Sequence, residues 1–206
     1  MIGGLYEETL HGRRDVHVEY ACGEARPFTV DEWLALRPGD ESLLARCVGP
    51  TLDVGCGPGR FVTELAARGQ VALGIDVTPA AVGLTARAGG SVLLRDVFDP
   101  VPGTGRWQTV LLADGNVGIG GDPVALFRRV ATLLAATGRV LVDADSPGTG
   151  LRTLRARLRA GTTRSEWFDW ATVGVDALAA TAEPAGLAIA ETWAEEGRWL
   201  AALVRP

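Results

Sequence analysis

The chain has 206 residues, 47% of them apolar, and a formal net charge of −5. That length supports one sizeable core and would be cramped for two domains. No apolar run approaches the roughly 20 residues of a membrane span, and the acidic balance argues against a nucleic-acid partner. All 20 basic residues are arginine, which excludes a lysine nucleophile or Schiff base. The opening Ile2-Gly3-Gly4-Leu5 shows no basic n-region and no apolar h-region, so the expectation is a cytoplasmic protein without a signal peptide. Cys22, Cys47 and Cys56 are odd in number and irregularly spaced, and no disulfide framework or zinc site is expected from them.

Val16, Val18 and Tyr20 alternate with His17 and Glu19, the pattern of a half-buried strand. Cys22-Gly23-Glu24 turns it into a second strand through Arg26 and Phe28. Thr29 and Asp31 are helix-start residues for the stretch Glu32 to Leu36, and Asp40 is placed to cap a helix carrying Leu43, Leu44 and Val48.

The stretch Leu52-Asp53-Val54-Gly55-Cys56-Gly57-Pro58-Gly59-Arg60 organises everything after it. An apolar run enters three glycines at alternate positions, and a helical pattern (Phe61, Val62, Leu65, Ala66) follows at once. This reads as a buried parallel strand, a tight turn and a helix whose first N–H groups are free. Glycine tolerates positive φ there and lets a ligand approach the backbone. Asp53 followed by the G-x-G-x-G spacing resembles motif I of the class I S-adenosylmethionine (SAM)-dependent methyltransferases. The resemblance implies a loop of Asp53, Gly55, Cys56, Gly57 and Gly59 against SAM, with the acidic residue near its methionine end.

Gly69 stops the helix, and Val71 to Asp76 is the next buried strand. Asp76, at its end, is placed to accept ribose hydroxyls, while Thr78 and Pro79 start a helix. A third strand over Ser91 to Arg95 is followed by Asp96 and Val97. In the family these match an adenine-binding acid and an apolar neighbour, and Val77, Ala113 and Asp114 complete the implied cofactor set. Trp107 to Ala113 is the fourth strand. It runs into Asp114-Gly115-Asn116 and three further glycines, a backbone that must pass close to something. This turn resembles the family's motif IV, without the (D/N)-P-P-(Y/F) signature that marks DNA and protein amide substrates. Asp122 and Pro123 open a helix with Leu126, Val130, Leu133 and Leu134 on one face.

Gly138 to Asp145 is the fifth strand. Residues 151–160 set Leu151, Leu154 and Leu158 against four arginines and read as an amphipathic helix with a solvated basic face. Trp167, Phe168 and Trp170 form an aromatic knot able to wall an apolar substrate. Asp176 starts a short helix. Two final strands, Leu187 to Ala190 and Trp199 to Val204, make a hairpin.

The expected fold is therefore α/β: a single-domain, Rossmann-like, doubly wound sheet of about seven strands. It is mostly parallel with a C-terminal antiparallel hairpin, in an α/β/α sandwich. Residues 1–49 are expected to be a cap or substrate-recognition segment, by analogy with the family, and 50–206 the SAM-binding domain. The expected function is SAM-dependent transfer of the sulfonium methyl to an O, N or C atom of a small molecule, leaving S-adenosylhomocysteine. Asp114, Asn116 and His17 are the candidate catalytic residues, and His11, Trp167 and Trp170 the candidate substrate contacts. No metal is expected, because Ser146 after Asp145 breaks the paired ligands of catechol-type enzymes. Monomer and homodimer both fit. An NAD(P)-dependent oxidoreductase and a non-catalytic SAM-binding protein stay open as alternatives.

Overall fold

The computed structural model describes residues 3–13 and 15–206. Met1 and Ile2, part of the segment read above for a leader, lie outside the described residues. No helix among the described residues is long and apolar enough to cross a membrane.

The chain begins with α1 (Gly3–Leu10), a short hairpin of β1 (His17–Tyr20) and β2 (Ala25–Pro27), and α2 (Asp40–Arg46). The main unit then alternates strand and helix: β3 (Thr51–Val54), α3 (Arg60–Ala67), β4 (Ala72–Asp76), α4 (Pro79–Arg87), β5 (Val92–Leu94), β6 (Trp107–Leu112), α5 (Pro123–Leu133) and β7 (Leu134–Ala144). It continues with β8 (Leu151–Ala160), β9 (Thr163–Arg164), β10 (Phe168–Val173), α6 (Leu178–Ala182), β11 (Ala188–Glu195) and β12 (Arg198–Val204).

Seven strands form the main sheet in the order β11-β12-β7-β6-β3-β4-β5. The pairs β3–β4, β3–β6, β4–β5 and β6–β7 are parallel, and β12 adds antiparallel to β7 and to β11. The central strands are buried on both faces, as their near-continuous apolar runs require. On one side Leu126, Phe127, Val130 and Leu133 of α5 pack with Leu178 of α6 against Leu52, Val110 and Val140. On the other, Leu43 and Leu44 of α2 and Phe61 and Leu65 of α3 pack against Leu111 and Leu141. Asp122 caps α5 by accepting the Ala125 N–H at 2.9 Å.

A second, antiparallel sheet has the order β10-β8-β1-β2, with β9 on β8. It joins the N-terminal hairpin to residues 151–173. The helix expected over 151–160 is therefore a strand. Its Leu and Arg residues satisfy two periods at once, since Arg155, Arg157 and Arg159 also alternate with Ala156, Leu158 and Ala160. Hydrogen-bonding partners on both sides, β1 and β10, select the period of two. The helix expected over 32–36 is a single 3₁₀ turn, Asp31–Trp33. Asp40 does not cap α2. Gly39 holds that position, and the Asp40 side chain turns inward to the ion-pair cluster described below.

The glycines after β6 do pass close to something: β10. A Cβ on Gly118 would lie 2.0 Å from the Ala171 carbonyl oxygen and 2.7 Å from Trp170 Nε1, and one on Gly121 would lie 2.8 Å from Asp169 Cβ. Gly118→Ala should therefore push the two elements apart and destabilise the fold by about 1–3 kcal/mol, the usual cost of overpacking. Urea unfolding checks this, and a variant as stable as wild type would contradict the packing.

Candidate functional site

At the carboxyl ends of β3, β4 and β5, where the chain order reverses between β3 and β6, a cavity of about 770 Å³ opens. Such a switch point is where open α/β sheets bind ligands. Gly55, Cys56 and Gly57 form its floor, Asp76 and Val77 one wall, and Asp96 and Val97 the far end.

Three glycines of the loop share a left-handed φ (69°, 54° and 87° at Gly55, Gly57 and Gly59), but for different neighbours. A Cβ on Gly55 would lie 2.8 Å from Asn116 Nδ2, and one on Gly59 2.4 Å from Thr85 Cγ2. Those two positions are closed by the protein's own packing, and Gly59 is not part of the cavity lining. Of the three, Gly57 alone has room for a Cβ, whose nearest atom would be the Tyr6 hydroxyl at 3.5 Å. Cys56 packs on β4 beside Gly74, and burial pushes its thiol well up, which leaves it a neutral filler.

Asp76 ties this loop to the next strand. Its Oδ2 accepts the Gly57 N–H at 2.9 Å and its Oδ1 accepts the Thr78 N–H at 2.8 Å. The Thr78 side chain and the Val77 N–H also bear on this carboxylate. Burial raises this carboxyl above its ordinary value, opposed by the N–H bonds from Thr78 and Gly57. Asp96 accepts the Phe98 N–H at 2.9 Å and stays exposed, while Val97 beside it is buried.

Asp114 follows β6 with a left-handed φ of 56°. Its carboxylate accepts 2.6 Å bonds from Arg60 Nη1 and Arg37 Nη2 and a 2.9 Å bond from Arg60 Nη2. Asn116 donates its amide to the Val54 and Gly55 carbonyls at 2.8 and 3.0 Å, pinning this turn to the glycine loop. Both line the cavity. Ala113 is buried beneath them and does not.

Asp53 does not reach the cavity either. It is 1% exposed, on the side of β3 toward Cys47 and Arg60, and its Oδ2 has no partner. Burial pushes its carboxyl up to about 7, with Arg60 pulling it down and Asp114, Asp76 and Asp40 adding to the rise.

The two histidines are also outside. His17 of β1 pairs with Arg159 of β8, and the alternation that points Val18 and Tyr20 into the cavity turns His17 out. His11 is exposed beyond the end of α1. Trp170 lines the cavity, but Trp167 stacks on Arg157 at 4.3 Å on the other face of the second sheet.

The sequence reading missed Arg60, Arg37 and Arg198. Arg60, with a side chain 4% exposed, bridges Asp40 and Asp114, and Arg198 bridges Asp40 and Asp143 at 2.6 and 2.7 Å. It also missed Tyr6, Phe28 and Trp33, which line the cavity from the N-terminal segment. The one available signal was Arg60 itself, a charge at the start of a helix whose next two residues, Phe61 and Val62, are core.

No family model matches the chain, and no curated protein matches it. Solved structures do. A SAM-dependent methyltransferase from Bacteroides fragilis, in complex with S-adenosyl-L-homocysteine, superposes with a TM-score of 0.82 at 22% identity over 97% of this chain and 92% of that one. The CcbJ methyltransferase from Streptomyces caelestis gives 0.64 at 18% identity, covering 81% and 88%. The sugar N-methyltransferase KedS8 from a Streptoalloteichus species gives 0.59 at 20% identity, covering 79% and 82%. The fold is that of class I SAM-dependent methyltransferases.

Asp53 generates a pH prediction. The folded chain keeps it neutral up to about 7, whereas the unfolded chain ionises it near its ordinary 3.8. Its contribution to stability is complete below the unfolded value and is lost as pH rises through the folded one. At ~1.4 kcal/mol per pKa unit the loss is about 4 kcal/mol. The stability of Asp53→Asn relative to wild type should rise by about 3 kcal/mol between pH 4.5 and pH 8 in urea titrations. A difference that does not change with pH would contradict this.

Proposed function

We propose that the chain is a SAM-dependent methyltransferase acting on a small molecule. One observation carries the reading: a single cavity at the switch point joins Gly57, Asp76 and the Asp96–Val97 pair. The residues present fit the nucleoside. Gly57 leaves open the space that a Cβ would enter, and Asp76 brings its carboxylate to the same cavity from the end of β4.

In this reading Asp76 takes the ribose hydroxyls, Val97 and Ile119 press on the adenine, and Asp96 faces its amino group. Arg60 and Asp114, of opposite charge, lie at the methionine end. When bound, SAM supplies a methyl group already activated by its sulfonium. The protein's part is then alignment and exclusion of water, and alignment alone is worth up to roughly 7–11 kcal/mol. Asp114 and Asn116 serve as positioning groups. Asp114 is engaged by two guanidinium groups, and the Asn116 amide is engaged by two carbonyls.

Thermal unfolding with S-adenosylhomocysteine, SAM, NADH or NADPH tests the reading. A ligand at about 100 times its dissociation constant adds ~2.7 kcal/mol. A rise of several degrees with the two sulfur nucleosides alone is expected. A rise with a nicotinamide cofactor alone would instead favour a Rossmann-type oxidoreductase. Asp76→Ala should weaken S-adenosylhomocysteine binding at least tenfold, ~1.4 kcal/mol, by calorimetric titration, and unchanged affinity would remove Asp76 from the site.

A further inference from the structure

Part of the cavity lies beyond the residues assigned to the nucleoside, and this is its aromatic half. The inner face of the second sheet supplies Tyr20, Leu158, Phe168 and Trp170 to it, and the N-terminal segment supplies Phe28 and Trp33. The walls are aromatic and ordered. Tyr6, Phe28 and Trp33 meet edge to face with centroids 5.5, 5.8 and 6.2 Å apart, and Phe168 meets Trp170 edge to face at 6.4 Å.

Ionisable side chains of the same strands are turned away or occupied. Glu19 pairs with Arg157 on the outer face at 3.0 Å. Asp169 lines the cavity but is solvent-exposed, 3.7 Å from Arg155, and the exposed Arg26 stacks on Tyr20 at 5.2 Å. On the nucleoside side, Asp114 is held by Arg60 and Arg37, and Asp76 by two backbone N–H groups. A carboxylate moved against these rings would lose water and gain no partner from them. Among the described residues no histidine lines the cavity, and its carboxylates besides Asp76 and Asp114, those of Asp96, Asp99 and Asp169, are solvent-exposed. A flat uncharged ring gains large contact area there at little entropic cost.

We infer that the methyl acceptor is an uncharged aromatic molecule whose nucleophile is a nitrogen with an available lone pair, either a heteroaromatic ring nitrogen or an aryl amine. The inference rests on the methyl-transfer reading above. The step balances without a base. The nitrogen lone pair forms the new N–C bond, the methyl C–S bond breaks with its electron pair remaining on sulfur, and the positive charge passes to nitrogen. A ring nitrogen keeps that charge, and an aryl amine then releases a proton to solvent. The new cation forms facing aromatic rings, which favour it. A phenol, with a pKa of about 10, would first need a base. An aliphatic amine, protonated at neutral pH, offers no lone pair.

The test is calorimetric titration of isoquinoline, 2-naphthol and 2-naphthoate into protein saturated with S-adenosylhomocysteine, followed by mass spectrometry of incubations with SAM. Isoquinoline should bind at least tenfold more tightly than 2-naphthoate and give N-methylisoquinolinium, while 2-naphthol gives no methyl ether. Trp170→Ala should weaken isoquinoline tenfold or more with the S-adenosylhomocysteine affinity unchanged, and the milder Phe168→Leu should weaken it in the same direction. Equal binding of the naphthoate, bound isoquinoline left unmethylated in SAM, or methylation of 2-naphthol would each overturn the inference. Failure of S-adenosylhomocysteine to bind at all would instead bring down the methyl-transfer reading on which it rests.

Discussion

The Arg60 guanidinium is the group the site is built around. It is the first residue of α3, directly after the glycine loop, and it is out of water. A buried charge without partners costs several kcal/mol, and breaking such a pair costs about 3–5 kcal/mol. Arg60 must therefore be met by carboxylates, and these come from opposite ends of the fold: Asp40 from the N-terminal segment and Asp114 from the turn after β6. Arg198 of the terminal hairpin closes the cluster onto Asp40 and Asp143, and Arg37 closes it onto Asp114. Burial works against ionisation of Asp40, yet the bonds from Arg60, the Arg37 N–H and Arg198 hold its carboxyl below the ordinary range. Three arginines and three aspartates thus require five chain segments to arrive together.

This requirement positions the cavity walls. Arg37 and Asp40 anchor the short segment that follows Trp33, so the aromatic wall is tied to the same cluster as the glycine loop. Asp114 keeps its left-handed backbone because both guanidinium groups and the Asn116 contacts over-determine it. The turn that results is narrow enough for β10 to lie against its glycines, and β10 brings Trp170 and Phe168 to the cavity. The two parts of the cavity are in this sense products of one electrostatic constraint and one steric constraint.

Local signals made much of this legible. The strand, turn and helix around Asp53 to Arg60 show their period and punctuation directly, as do the Asp122 cap of α5 and the C-terminal hairpin. Asp76, Asp96 and Val97 were readable because βαβ spacing places strand ends at one edge. Other features depended on contacts distant in sequence. Residues 151–160 fit both a helix and a strand, and only pairing with residues 17–20 decides between them. His17 looked available until the same alternation was followed through to its neighbours Val18 and Tyr20. Asp53 carried the family pattern, yet its strand position turns it under the loop. The partners of Arg60 lie 20 and 54 positions away, and no local pattern links them.

The most direct measurement is a crystal structure of the protein grown with S-adenosylhomocysteine. The account predicts nucleoside density over Gly57, with the ribose at Asp76, the adenine against Val97, and the aromatic half of the cavity left free for an acceptor. Density in the aromatic half, or at any site away from Asp76, would contradict it.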